Sequence, residues 1–226
     1  MNKISKQTSE LEQAILPVLD LPLALEIERF EVSAIICGIS FDFWRGTRLM
    51  LDAQMITPAA TLLRSQFESV VRSIWTHNNA TNDVIDKLSA DLSPESEQAA
   101  KNLPTANEMM QILEKSIHPN AFAPLNEFKH YSWRALNSHT HSGIHAVARG
   151  RSDCPDEINN AVYKLSNGLA VTAAMHYVIL CGRQDLQKRI VSISLDFPDC
   201  FNIKQQNVTL SPNEQHNERN CGLSAW

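Results

Sequence analysis

Ala24-Leu-Glu-Ile-Glu-Arg-Phe30-Glu-Val-Ser-Ala-Ile-Ile-Cys37-Gly-Ile-Ser-Phe41-Asp-Phe-Trp44-Arg-Gly-Thr-Arg-Leu-Met-Leu51-Asp-Ala-Gln54 reads as one long helix. Phe30, Ala34, Cys37, Phe41, Trp44 and Leu51 recur at three- and four-residue steps, the spacing of one helical face. Ile27, Ile35, Ile39 and Phe43 widen that stripe. A helix apolar over so much of its circumference belongs in the middle of a bundle. Gly38 and Gly46 either admit a close neighbour or soften it.

The flanking sequence repeats the pattern. Residues 1–22 form a short amphipathic helix and linker closed by Pro17 and Pro22. Thr57-Pro58 signals the next start, with Thr as cap and Pro at the first helical position; this helix runs to about His77. Thr81 caps a shorter one through Leu92, and Leu92–Pro104 reads as an exposed connection. Thr105 opens another, with Met109, Ile112, Leu113 and Ile117 inward, and His118-Pro119-Asn120 ends it. A further helix runs from about Pro124 towards His141, where Gly143 interrupts it. Pro155-Asp-Glu opens a long buried helix with acid at its positive end, and a last helix covers Gln184–Leu195. The expectation is an all-α, up-and-down-type helical bundle of about six to eight helices over residues 23–197, with 198–226 a flexible tail.

Composition narrows the function classes. Among 226 residues, 43% hydrophobic content supplies a core, and the formal net charge is −5. No Lys/Arg run gives a basic face, which argues against a broad, non-specific nucleic-acid platform. Five scattered cysteines without a CxxC pair suit a reducing compartment. No signal-type run opens the chain. Leu165–Gly182 carries Ser166, Asn167, Gly168 and His176, so it reads as a buried helix rather than a membrane span. The expected location is the cytoplasm, with no membrane association.

Chemistry concentrates in Tyr131-Ser-Trp-Arg134-Ala-Leu-Asn137-Ser-His139-Thr-His141-Ser-Gly143-Ile-His145. At about 100° per residue, His130, Arg134, Asn137, His141 and His145 fall within roughly an 80° arc. Guanidinium stays charged and matches phosphate oxygens, and imidazole moves protons near neutrality. Arg134 and His141, almost two turns apart, are therefore candidates for chemistry on a phosphate, with Asn137 between them. His139 turns away from Arg134. His141 and His145 also have the i, i+4 spacing of zinc ligands, with His130 or His139 as a third. Gly143 between them and the missing HExxH glutamate weigh against that site, and no metal or other cofactor is expected. The bland account has these histidines bonding carbonyls at a helix end.

A second constellation is Arg64, Glu68 and Arg72, at successive four-residue steps with Trp75 following. Glu68 can bridge both arginines on a solvated face. Because Leu63, Phe67, Val71 and Ile74 flank the strip, it can instead be half-buried, with Glu68 orienting Arg134 or pairing across a subunit interface. Arg45 and Arg48 could extend a basic pocket. Ser142-Gly143 lacks the strand-turn-helix setting of a hydrolase nucleophile.

Arg134-Ala-Leu-Asn-Ser-His-Thr-His141 resembles the Arg-x(4–6)-His signature of HEPN domains (higher eukaryote and prokaryote nucleotide-binding), with either His139 or His141 as its histidine. The combination of Leu63-Arg64-x-x-Phe-Glu68-x-x-Val-Arg72 with Leu136-Asn-Ser-x-x-His141-x-Gly-Ile-His145 is similar to a set of bacterial HEPN-like helical proteins, some linked to abortive infection. The resemblance covers about residues 25–182. It implies a HEPN-like bundle that forms a homodimer in which Arg/His helices meet, and a metal-independent endoribonuclease acting as a toxin or phage-defence effector. An antitoxin or regulatory protein would be its partner. His141 would activate the ribose 2′-OH or protonate the leaving oxygen, Arg134 would stabilise the phosphorane, and Asn137 would bond the phosphate or fix a tautomer. Arg64, Glu68, Arg72, His130, His139 and His145 would support it. Ala135 stands where active members often carry a polar residue. The alternative is a non-catalytic module binding a nucleotide or a protein.

Overall fold

The computed structural model describes residues 3–151 and 155–201, and among them every regular element is helical. Helices α2 (Glu28–Asp52) and α3 (Ile56–Asn79) pair antiparallel across a tight turn. Arg29 reaches Thr76, Ser33 reaches Ser73 and Gly46 abuts Leu62, so contacts descend one helix as they climb the other. Helix α9 (Pro155–Leu180) lies across both. Cys37 Sγ donates to Ala173 O, Trp44 Nε1 to Asn167 Oδ1 and Gln66 Nε2 to Ser166 O. These three helices hold the centre of the core, and α7 (Pro119–Thr140) and α6 (Ala106–Ser116) pack on the outer side of α3.

The described residues contain ten α-helices, more than the six to eight expected. Helix α4 (Asn82–Ser89) is the short one expected after Thr81, and the surplus begins with α5 (Pro94–Ala100). Within the stretch read as a connection, Ser93 and Ser96 exchange side-chain and backbone hydrogen bonds, a capping box that the Ser-Pro-Glu-Ser sequence supports. Helix α8 (Ile144–Gly150) breaks away from α7 at Gly143. Helix α3 begins one residue before the Thr57 cap anticipated for it, and α7 starts at Pro119 with Pro124 inside. Pro124, the sixth residue of α7, withholds one backbone donor, the N–H that would otherwise reach Asn120 O.

Helix α1 (Lys3–Ile15) belongs to the same core, because Leu11 and Ile15 are fully buried. Arg45 and Arg48 both hold its Glu12, at 2.7 and 3.0 Å. They pin α1 to α2 and do not extend a basic pocket. Helix α10 (Gln187–Leu195) and a 3₁₀ turn at Pro198–Cys200 close the far end, with Cys200 buried, so packing continues past residue 197. Residues 202–226, most of the stretch read as a tail, and Cys154 and Cys221 lie outside the described residues. The widened stripe of α2 is only half covered. Ile35 is 64% and Ile39 42% exposed, because α3 and α9 occupy the opposite side. Among the described residues, no helix is long and apolar enough to cross a membrane.

A buried polar seam joins the three central helices. Ser33 Oγ donates to Ser73 O at 2.9 Å, Ser73 Oγ donates to Ser33 O at 2.8 Å, and His176 Nε2 lies 3.2 Å from Ser33 Oγ. Burial, and next the nearby His77, push the His176 imidazole down to about 3 from an ordinary 6.5. Below pH 6.5 the unfolded chain takes up a proton that the folded chain refuses. Stability is therefore fully present above 6.5 and falls with pH down to about 3, at close to ~1.4 kcal/mol per pH unit. Between pH 7 and 5.5, urea denaturation should show His176→Gln losing roughly 1 kcal/mol less than the wild type; parallel losses would refute the assignment.

Candidate functional site

Two ladders face one another across an open cleft of about 580 Å³. From α3 come Arg64, Glu68 and Arg72, and from α7 and its C-terminus come Trp133, Asn137 and His141. Each set advances by four residues, which keeps its side chains on one helical face. The stacked pair Phe67 and Phe128, with ring centroids 4.7 Å apart, fixes the spacing between the helices. Thr105, Ala106 and Asn107, the start of α6, close the third side. Thr105 accepts the Glu108 N–H while Glu108 accepts the Thr105 N–H, so the predicted start of α6 is a full capping box. These bonds hold the Glu108 carboxyl below its ordinary range.

Arg64 is the hub of the cleft. Its Nε donates to Glu68 Oε1 at 3.0 Å, its guanidinium carbon lies 5.3 Å from the centre of the Trp133 ring, and its terminal nitrogen is 3.4 Å from His141 Nε2. A guanidinium held by a carboxylate on one side and an indole on another is oriented before any ligand arrives. Arg72, two turns further along α3, makes no hydrogen bond or ion pair with other described residues. Asn137 Oδ1 is buried without a hydrogen-bond partner among them. The cleft thus offers two cations, one carboxylate, one imidazole and an unsatisfied amide. That composition suits a phosphate ester.

The residues singled out in the sequence are distributed unevenly. Arg64, Glu68, Arg72, Asn137 and His141 meet in the cleft, although Glu68 pairs with Arg64 alone. Arg134 is exposed and outside the lining. It sits about 60° round α7 from Asn137, towards Tyr131. The guanidinium beside His141 is that of Arg64. His139 is buried on the opposite side of α7, where burial, with His145 and Arg149 nearby, lowers its pKa. His130 is exposed beside Tyr131, its ring 4.8 Å away and perpendicular. His145 is half-buried in α8. Among the described residues, no three His, Cys, Asp or Glu side chains form a metal-binding group. Trp133 and the first turn of α6 escaped sequence reading. The four-residue step from Trp133 to Asn137 to His141 was the available signal.

His141 owes its position to a sharp corner. It closes α7, Ser142 adopts φ 52°, and Gly143 N–H donates to Ser138 O. Ser138 Oγ then accepts the His145 N–H at 2.9 Å, capping α8. A methyl group on Gly143 would stand 2.6 Å from Ser138 Oγ. Gly143→Ala should therefore break that cap and cost about 1–2 kcal/mol, read as a lowered thermal midpoint. An unchanged midpoint would mean the corner has slack.

One family model, described as a family of unknown function, matches residues 37–203 of the chain. No curated protein and no solved structure matches.

Proposed function

The chain belongs to that family, DUF6988, and with no activity to carry over we propose that it is a metal-independent endoribonuclease whose site is the cleft between α3 and α7. The observation that supports this most directly is the Arg64 guanidinium 3.4 Å from His141 Nε2 at an open surface. Of the HEPN-like pair Arg134 and His141, His141 alone lines this cleft, and Arg64 stands there in place of Arg134. The His141 imidazole takes the proton of a ribose 2′-OH, O2′ bonds to phosphorus, the P–O5′ bond breaks, and the imidazolium returns the proton to O5′. Arg64 and Arg72 neutralise the charge gathering on the non-bridging oxygens. The free Asn137 Oδ1 accepts from a ribose hydroxyl. The positive end of α6 adds to the field. Such a local cationic site is compatible with a net charge of −5, since charges more than a Debye length away are screened.

The test is incubation of the purified protein with RNA in EDTA. Cleavage to 2′,3′-cyclic phosphate ends, and none of a 2′-deoxy oligonucleotide, is expected; an uncut RNA ends the nuclease reading. A second reading is a nucleotide-binding module without turnover. It draws on the single imidazole lining the cleft, where acid and base roles usually engage two groups. A thermal shift with AMP beside intact RNA would favour it.

The homodimer that the resemblance implies would use the surface flanking the cleft. There Tyr131 of α7 and Ile144 and Val147 of α8 are exposed, Ile144 at 79%, and Arg134 lies on the same side of α7. In this arrangement Ile144→Asp should convert the dimer to a monomer in light-scattering measurements without unfolding it. A wild-type mass already equal to that of the monomer removes the dimer from the proposal.

A further inference from the structure

At the other end of α6 and α7 lies a second cavity, of about 470 Å³, between α3, the α6–α7 corner and α9. Its origin is local. Helix α6 ends at Ser116, and His118-Pro119 restarts the chain as α7, so the corner stands away from the two long helices behind it. The exposed wall is mainly apolar, with Ile74, Ile117, Val171 and Met175 prominent, and His77, His176 and further polar side chains, His118 and Asn120 among them, supply its polar edges. Well-packed interiors leave voids little larger than water. A pocket of this size, mainly apolar with a few convergent polar groups, has the dimensions of a small-molecule site.

The hydrogen bonds behind the wall fix what His176 offers. Ser73 O, at 2.9 Å, is the shortest of the Ser33 Oγ contacts and takes its hydroxyl proton, which leaves Ser33 Oγ to accept from the imidazole. Nε2 therefore carries the ring proton. Nδ1 is left with a lone pair and makes no hydrogen bond with other described residues. Burial keeps both His176 and His77 uncharged at neutral pH. Arg29, the nearest cation to His77, lies outside the lining and is held by Thr76 O and Asn82 Oδ1. The wall thus presents an acceptor and no permanent positive charge. An anion would lose its hydration there without gaining a counter-ion.

We propose that this cavity binds a small, uncharged, mainly apolar molecule carrying one hydroxyl or N–H group, which donates to His176 Nδ1. The site is separate from the phosphate cleft. Along α7, Ala121 at the cavity is some 24 Å from Asn137 at the cleft, at about 1.5 Å per residue. It therefore stands or falls independently of the nuclease reading.

Three probes of one shape test it on the full chain: 2-naphthol, naphthalene and 2-naphthoate. 2-Naphthol is expected to raise the thermal midpoint and to bind at least tenfold more tightly than naphthalene, with 2-naphthoate weaker still. On protein labelled with ¹⁵N at histidine, 2-naphthol should move the Nδ1 resonance of His176. Val171→Phe fills the cavity without touching the serine seam and should abolish binding in a folded protein. His176→Phe should remove the preference for 2-naphthol over naphthalene; if that variant does not fold, Val171→Phe and the resonance shift still decide. Equal binding of the three probes, binding unchanged in Val171→Phe, or no binding of 2-naphthol up to its solubility limit would each overturn the proposal.

Discussion

His141→Ala lowers single-turnover RNA cleavage at least a hundredfold, Arg64→Ala does the same, and Arg134→Ala leaves it within about threefold: this is the ranking expected of the cleft. A positioned proton-transfer group contributes about 10²–10⁴-fold, and one preorganised charge-stabilising donor about 10²–10³-fold. Arg134, exposed and outside the lining, can act only as a screened surface charge. The first substitution leaves the fold intact, because His141 is exposed and its side chain touches Arg64 alone among hydrogen-bonding partners; surface changes of this kind stay within about 0.5 kcal/mol. Arg64→Lys separates charge from shape. It keeps the cation but loses the fork that meets Glu68 and His141 and the plane that lies on Trp133, so partial activity is expected. The reverse ranking, with Arg134 essential and Arg64 dispensable, would move the chemistry off the cleft and onto the outer face of α7.

How far the sequence carries the site depends on which ladder one follows. The spacing of Arg64, Glu68 and Arg72 put them on one face of α3, because i, i+4, i+8 share a helical face, but it left open whether that face is solvated or half-buried and which arginine Glu68 holds. The partner ladder was harder, since Arg134 and His141 differ by only about 20° around α7 and look equivalent on a helical wheel. What separates them is the neighbour. Phe67 stacks on Phe128 and meets Trp133, and that turns the Trp133–Asn137–His141 edge of α7 towards α3. A wheel drawn for one helix contains no such information. The long apolar pattern of α2 likewise identified a central helix, but not that Ile35 and Ile39 face solvent, because stripe width does not say how many helices surround it. Helix ends fared better. Thr105 and Glu108 form the capping box their spacing suggests, while α5 went unread because serines at both Ser93 and Ser96 form a box with no Glu or Gln to advertise it.

The largest loss of stability is expected at Asn167, a residue that in the sequence did no more than make α9 unfit for a membrane. It is fully buried, and its Oδ1 accepts the Trp44 indole N–H at 2.8 Å. Its Nδ2 donates to Thr8 Oγ1 at 3.0 Å and to Cys200 O at 3.2 Å. One amide thus ties α9 to α2, to the N-terminal helix and to the last 3₁₀ turn. Asn167→Leu preserves volume but strands an indole N–H, a hydroxyl and a carbonyl in the interior. Each orphan costs about 1–3 kcal/mol, so a total of about 3–9 kcal/mol is expected by urea denaturation. That is a large share of the 5–15 kcal/mol that holds a typical domain together. Trp44→Phe in the Asn167→Leu background removes the stranded N–H, so the double variant should be less destabilised than the sum of the singles. Hydrogen exchange should locate the damage, rising first in α1, whose Thr8 loses its tie. Additive losses totalling under ~1 kcal/mol would instead mean that water enters and serves these groups as well as the amide does.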